Sequence, residues 1–526
     1  HLNNPVMTGW GKARQMRTRK RDRQGGADKT ARHLSSRQLS YRHLAHPFTP
    51  QALFTDDKIA AIHDAALEAC ERLGLSFALP EAQSYFAAAG AKIDGDMVYI
   101  GREIIAEALA SCPTDISLRA PSDGFHQTLG AGHLLFAPAG GCPNSYDRER
   151  GRRAGDSQAY EEAVKLTQMM DVLHVQSVAP EPQDCDVAIR HIFMTQTQLS
   201  MSDKIISLYA RGRGQVMQNF ALIQEALALD DERFQAHPHS LTIINSNSPR
   251  IFDKPMAQGI IDFATYGQCV VITPFCLAGA MAPISIEGAL LLQHMECLAG
   301  ITLSQLVKKG APVAYGGFGS NVDMRSGSPA FGTPEHLKMQ IGSGQLARYI
   351  GLPWRSAAGS AANLADAQGN LENTNALWGA LQANANLVLH AAGWLEGGLT
   401  FGFEKFISDC EALQIIAELC RPHQSDDLAE ALAAMAGTEP GGHFFDNPHT
   451  MTRYQDAFYT PLLADLRNYG AWQEAGGQSA EARATAIWQD MLLQFHPSDA
   501  AQERAERIAP LADSLRAKGG AAPLDG

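Results

Sequence analysis

Residues Ile272–Gly332 read ITPFCLAGAMAPISIEGALLLQHMECLAGITLSQLVKKGAPVAYGGFGSNVDMRSGSPAFG, and the order of segments within them decides the fold. The β-branched apolar run Cys269-Val270-Val271-Ile272-Thr273 predicts a strand, opening into a loop of small residues, Gly279-Ala280-Met281-Ala282-Pro283. A long helix-forming stretch follows, with Glu287, His294 and Glu296 set among Leu, Met and Ala. Pro312–Tyr315 then predicts a second strand, and a second Gly-rich loop carries Asn321, Asp323 and Arg325. Strand, loop, helix, strand and loop make one βαβ unit. Both polar loops follow strands, which places them at the carboxyl end of a parallel sheet, where α/β folds bind ligands.

Outward from this unit the alternation continues. Candidate strands are Val172–Val178, Lys204–Tyr209, Leu241–Asn245, Val270–Pro274, Pro312–Tyr315, Leu352–Ser356 and Leu387–His390, with His133–Ala137 or a segment after 400 as an eighth. Helical stretches over 183–200, 214–228, 254–266, 285–308, 335–350 and 365–384 separate most of them. A Rossmann sheet would carry a Gly-rich fingerprint in its first βα turn, and none is present. The expected architecture is therefore α/β, a (β/α)8 TIM barrel over 151–405 serving as the catalytic domain. An α-rich N-terminal domain is expected over 49–150, with Thr55 capping its first helix and Gly74 ending it. A helical C-terminal region is expected over 406–526, interrupted by GGHFFDNPHT.

Charge is uneven. Residues 1–46 hold eleven Lys or Arg and two Asp, a net of +9, against −13 for the whole chain and hence −22 for the remainder. Residues 1–48 have few apolar positions and no sustained periodicity, so a basic extended or disordered arm is expected. Its aromatics are too sparse for a single-strand binder, and wrapping of a neighbouring subunit in a homo-oligomer is favoured over RNA. The acidic body suits a cationic substrate. No uninterrupted apolar run of about 18 residues occurs, and the N-terminus lacks the apolar core of a signal peptide, so no membrane association is expected. Nine cysteines without a C-x-x-C pair predict free thiols and a cytoplasmic setting.

Several chemistries are unsupported by the motifs. Gly140-Gly141 with Arg152-Arg153 lacks the rest of a phosphate loop. Gly342-Ser343-Gly344 lacks the strand–elbow–helix setting of a nucleophilic serine. The pairs His237/His239 and His443/His449 sit in loops beside prolines with no cysteine at ligand spacing, so no metal is expected. What recurs after the strands is a set of aromatic and polar side chains: Phe275, Tyr315, Phe318, Asn321, Asp323, Arg325, His390, Trp394 and Glu396, with Asn245 near a strand end. Aromatic faces with an acidic group recognise a quaternary ammonium, which has no N–H to donate, through cation–π attraction of about 0.5–2 kcal/mol per contact. Arg325, His390 and Asn321 are candidates to fix a carboxylate on the same ligand.

The stretch ITPFCLAGAMAPISIEGALLLQHMECLAGI with GAPVAYGGFGSNVDMRSGSPAFGTPE resembles the signature region of the trimethylamine methyltransferase superfamily, and the similarity extends over roughly 50–470. That resemblance implies the TIM barrel and a corrinoid-dependent methyltransferase. A methyl group would pass from nitrogen to Co(I) of a corrinoid (cobalamin) held by a separate protein docking over the barrel mouth. It also implies that His443 and His449, in GGHFFDNPHT, approach that mouth. The methylamine branch activates its substrate with pyrrolysine, whereas the corresponding neighbourhood here reads WRSAAGSAANLADAQG in standard residues. A quaternary amine already has a neutral leaving group, so positioning and desolvation suffice for its demethylation. Glycine betaine, demethylated to dimethylglycine, is the expected substrate, with other betaines or carnitine next. A folate acceptor for the same substrate and a non-catalytic betaine-binding protein are the competing readings.

Overall fold

An eight-stranded sheet organises the molecule. The computed structural model describes residues 38–423 and 426–525, and Leu39 onward forms one unit. The strands are β1 (Leu44–Ala45), β2 (His133–Phe136), β3 (Ile206–Ser207), β4 (Ser240–Ile244), β5 (Cys269–Ile272), β6 (Val313–Gly316), β7 (Trp354–Ala357) and β8 (Leu387–Leu389). They lie in the order β1-β2-β8-β7-β6-β5-β4-β3. Every pairing is parallel except the antiparallel edge pair β1–β2. Parallel strands are covered on both faces, which is why β5 and β6 are buried at every residue. The sheet curls around an apolar cluster that includes Leu135, Leu241, Val271, Ala314 and Leu387, together with Ile116, Leu118 and Leu129 of a hairpin at the strands' amino ends.

Of the two candidates for an eighth parallel strand, His133–Ala137 is the one that joins the sheet. Val172–Val178 makes only a single bridge, Val175 to Ile205. Its backbone still reaches both neighbours: the His174 amide donates to the Phe136 carbonyl at 2.9 Å and the Gln176 amide to the Ile205 carbonyl at 2.8 Å. The ladder goes no further because side chains take the next amides. Gln176 Oε1 accepts from Ser177 N, and Ser177 Oγ from Ala179 N.

The helices fall where periodicity puts them. Helix α1 (Asp56–Arg72) starts at Thr55, whose hydroxyl accepts from Lys58 N, and stops before Gly74 at φ 65°. Helix α2 (Ile286–Val307) is capped by Ser285 and lies directly on β5: a Cβ at Gly300 would stand 2.7 Å from Ile272 Cγ2. By length and composition α2 could cross a membrane, yet 83% of its most apolar window is buried among other helices. Helices α3 (Pro334–Tyr349) and α4 (Ala367–Gln382) are capped by Thr333 and Asp366, and α5 (Phe403–Leu419) follows. Leu428–Ala436, Ala480–Gln494 and Asp499–Ala517 supply the C-terminal helices.

Within 49–150, helices alternate with strands. Leu75–Phe77, Met97–Tyr99 and Lys92–Asp94 form a sheet joined by Ile251–Phe252. The expected boundary at 150 falls inside a hairpin, Asn144–Asp147 paired with Gly151–Ala154. Residues 1–37 of the expected arm lie outside the described residues. Its last part is not free: Tyr41 donates to the Phe125 carbonyl at 3.0 Å, Arg42 pairs with Glu418 at 2.6 Å, and Leu44 is buried in β1. Burial of Tyr41 and Leu44 offsets the entropy of ordering that segment.

Candidate functional site

Three strands of the sheet deliver a cluster of rings. Phe275 follows β5, Phe318 follows β6 and His390 follows β8, all at the strands' carboxyl ends. Phe275 and Phe318 are held opposite one another by a short parallel extension, Phe275–Ala278 with Phe318–Val322. The Phe318 ring lies 4.7 Å from Phe275, 5.3 Å from His390, 5.6 Å from Phe331 and 5.6 Å from Trp394, between centroids. His390 stacks on Trp394 at 4.5 Å and 20°, and Phe331 meets Trp394 edge-on at 5.0 Å. Phe275 is half-buried; the other rings are buried.

Into this cluster projects Arg355 of β7. It is 1% exposed, its guanidinium carbon stands 5.0 Å from the Phe318 ring centre, and among the described residues its Nε and Nη1 find no hydrogen-bond partner. Desolvation pushes its pKa down to about 9. A buried guanidinium without a counter-ion is costly, by several kcal/mol on general grounds. Trp394 Nε1 is likewise buried and unpaired. His390 is a further donor. The Gly140 amide donates to its Nδ1 at 3.3 Å, which leaves the proton of the neutral ring on Nε2. Burial, and then the charge of Arg355, hold its pKa well below 6.5, so the ring is neutral at physiological pH.

Backbone shape makes room for the indole. Gly359 (φ 110°) and Gly398 (φ 106°) flank Trp394, and a Cβ on either would fall 2.1 or 2.5 Å from the ring. No side chain fits there. His390 itself sits at φ 58°, a conformation a non-glycine residue keeps only when its surroundings fix it. Asn373 of α4 accepts from Gly359 N at 2.7 Å and donates to the Ala391 carbonyl at 3.2 Å, tying the loops after β7 and β8 together. Asp409 of α5, buried and paired with Lys405, accepts from Gly393 N at 2.9 Å.

The other residues named from the sequence are placed elsewhere. Tyr315 is buried on the helix side of β6, because side chains alternate along a strand and Ala314 takes the inner face. Its hydroxyl meets Gln293 and His294 of α2 at 3.2 Å each, and His294 in turn meets His63 of α1 at 2.9 Å. Asp323 and Arg325 are exposed in a tight turn in which Asp323 accepts from the amide and hydroxyl of Ser326. Arg325 therefore does not stand beside the rings. Asn321 accepts from the Thr333 hydroxyl at 2.7 Å, a contact that anchors the start of α3. Glu396 is held bidentately by Arg152 at 2.8 and 3.0 Å and lies next to, not within, the ring cluster. Asn245 is exposed just beyond β4 and donates to the Thr273 carbonyl at 2.7 Å. His443 and His449 have Asp446 and Asp427 as partners, within the C-terminal helical region. Among the described residues neither side chain has an ion pair or hydrogen bond to the strand ends.

Two residues escaped the sequence reading. Phe331 was hidden in a Ser/Gly/Pro-rich loop, which gives an aromatic no periodic context. Arg355 did leave a signal: a charged residue at the centre of the apolar strand Trp354–Ala357, where both faces are buried, is out of place unless something pairs with it. Among the described residues no group of three or more His, Cys, Asp or Glu is arranged to hold a metal ion.

The curled parallel sheet carries a cluster of rings and a guanidinium at its carboxyl ends, and comparison with known proteins gives the class of protein. The family model for trimethylamine methyltransferase (MTTB) matches residues 18–518. A glycine betaine methyltransferase of Desulfitobacterium hafniense is 32% identical over 447 residues, covering 85% of this chain and 93% of that protein. A trimethylamine methyltransferase MttB of the same species is 24% identical over 475 residues, covering 89% and 95%. The solved monomethylamine methyltransferase of Methanosarcina barkeri covers 88% of each chain at 9% identity with a TM-score of 0.46. The chain belongs to the trimethylamine methyltransferase family and is an enzyme of methyltransferase type.

Proposed function

We propose that this enzyme demethylates glycine betaine to dimethylglycine, delivering the methyl group to Co(I) of a corrinoid on a partner protein, at the mouth of a closed (β/α)8 barrel. Closure is supported by the amides of His174 and Gln176, which link β2 and β3, the two edges of the parallel array. The substrate is supported by Arg355. A buried, unpaired guanidinium beside rings calls for a ligand that carries an anion and a quaternary cation together, which glycine betaine does and trimethylamine does not. The relative named as a glycine betaine methyltransferase agrees with this reading.

In this reading Arg355 and the Nε2–H of His390 hold the substrate carboxylate, and Phe318, Phe331 and Trp394 face the trimethylammonium group. The rings are in contact with one another, so a ligand enters by parting them. Phe275, the one half-buried ring, marks the side from which an outside acceptor reaches the methyl groups. The chain contributes orientation and exclusion of water, effects worth up to ~7–11 kcal/mol when the geometry is right. A docked Co(I) corrinoid would supply the nucleophile; the leaving group is a neutral tertiary amine that needs no proton.

The test is methyl transfer to free cob(I)alamin, followed by the visible spectrum as glycine betaine or trimethylamine is added. Conversion to methylcobalamin with glycine betaine alone is expected. Conversion with trimethylamine instead contradicts the substrate, and methylation of a tetrahydrofolate but not of cobalamin contradicts the acceptor.

A further inference from the structure

We infer a second ligand site, for a phosphate-bearing small molecule, at the amino ends of the strands, opposite the ring cluster. It is a cleft of about 450 Å³ between the turn that closes the Ile116–Leu118/Gln127–Leu129 hairpin and the segment leading into β4. Arg119, His126, Arg233, His237 and His239 line it, with Leu227 and Leu229 as an apolar wall. Asp123 lines it as well, fully exposed at the rim and 3.4 Å from His126, and Asp230 pairs with Arg233 beside it. In a chain of net charge −13 such a concentration of cationic and imidazole groups is out of character.

Arg119 is held in place without being neutralised, whereas Arg233 is paired with Asp230 at 3.2 Å. The Arg119 amide donates to the Pro238 carbonyl at 2.8 Å, clamping the hairpin turn to the segment before β4. Among the described residues no carboxylate pairs with the Arg119 guanidinium. Ala120 N donates to His126 Nδ1 at 3.1 Å, which leaves Nε2, 3.4 Å from Asp123, as the ring's donor. His239 forms the floor, stacked on Phe234 at 5.7 Å and 12°. It is 9% exposed, neither ring nitrogen makes a hydrogen bond of normal geometry, and the Arg233 carbonyl stands nearby.

These groups also feel one another. Burial lowers the pKa of His239 to about 4, with the charges of His237, Arg119 and His126 acting in the same direction. Burial and Arg119 likewise lower that of His126. Arg119, without a carboxylate partner among the described residues, stands among imidazole donors, a combination that suits an oxyanion. The volume accommodates a phosphate with an attached apolar or ring moiety against Leu227 and Leu229.

The experiment is calorimetric titration of the full chain with inorganic phosphate, pyrophosphate and ATP at constant ionic strength, repeated with Arg119→Gln and His237→Gln. Both positions are at least partly exposed, so the fold is retained, as circular dichroism will verify. Saturable binding of at least one of the three is expected, weakened about ten-fold or more in Arg119→Gln. Binding of phosphate or pyrophosphate places recognition on the anion alone; binding of ATP only adds the apolar wall. No saturable binding by any of them, or binding unchanged in Arg119→Gln, overturns the site.

Discussion

The guanidinium carbon of Arg355 stands 5.0 Å from the centre of the Phe318 ring, with its Nε and Nη1 unpaired in the interior. Stability alone does not explain that arrangement. A cation over an aromatic face gains about 0.5–2 kcal/mol, less than the general cost of burying an uncompensated charge. The arrangement makes sense when a ligand carboxylate completes it.

Replacing Arg355 with Met is therefore expected to separate binding from stability. Affinity for glycine betaine falls by about 100-fold or more, as expected when a buried charged partner is lost. The unfolding free energy stays level or rises by about 1–3 kcal/mol, since an unpaired buried charge is gone. Calorimetry and urea denaturation of the same variant check both halves.

Phe318→Leu removes the ring that touches four others. KM for glycine betaine is expected to rise about ten-fold with kcat nearly unchanged, the pattern of lost ground-state binding. A fall in kcat with unchanged KM would mean that the ring acts in the transfer step.

Gly359→Ala would place a Cβ 2.1 Å from Trp394 at φ 110°. The indole must move or the loop must, and a stability loss of about 1–3 kcal/mol is expected from overpacking and strain. Near-ultraviolet circular dichroism of the tryptophan reports the displacement. An unchanged spectrum and melting curve would show that the loop yields freely.

How legible the site was depended on whether a residue's role is local. The strands β4 to β8 and helices α1 to α4 follow from β-branched runs, caps and apolar periodicity, all local properties. Phe275, Phe318, His390 and Trp394 come together because each stands just past a strand, a position readable from the alternation itself. Tyr315 lies one step of the strand alternation from the inner face, which turns its side chain to the helix layer. Arg325 is read from its Gly-rich loop, whereas Arg355, a buried strand charge, has to be recognised as an anomaly. The sheet's antiparallel edge, β1, comes from a segment whose composition reads as unstructured; long-range contacts such as those of Tyr41, Arg42 and Leu44 order it.

Buried histidines set the acid limit of stability. Burial lowers the pKa of His46 and His336 from 6.5 to about 4 and that of His174 to about 3. Below pH 6.5 the unfolded chain takes up protons that the folded chain refuses. Stability is full above 6.5 and is lost as pH falls toward 4, by up to about 1.4 kcal/mol per pH unit for each such histidine. Denaturation midpoints at pH 7, 6 and 5 check the sign. His174→Gln should flatten the slope by one proton, and a slope unchanged in that variant would remove His174 from the account.

The central claim is best tested by titrating glycine betaine and trimethylamine separately into the wild-type protein and Arg355→Met by calorimetry. The account expects the wild type to bind glycine betaine and not trimethylamine, and Arg355→Met to bind neither measurably. Equal binding of glycine betaine by both proteins, or preference of the wild type for trimethylamine, would contradict it.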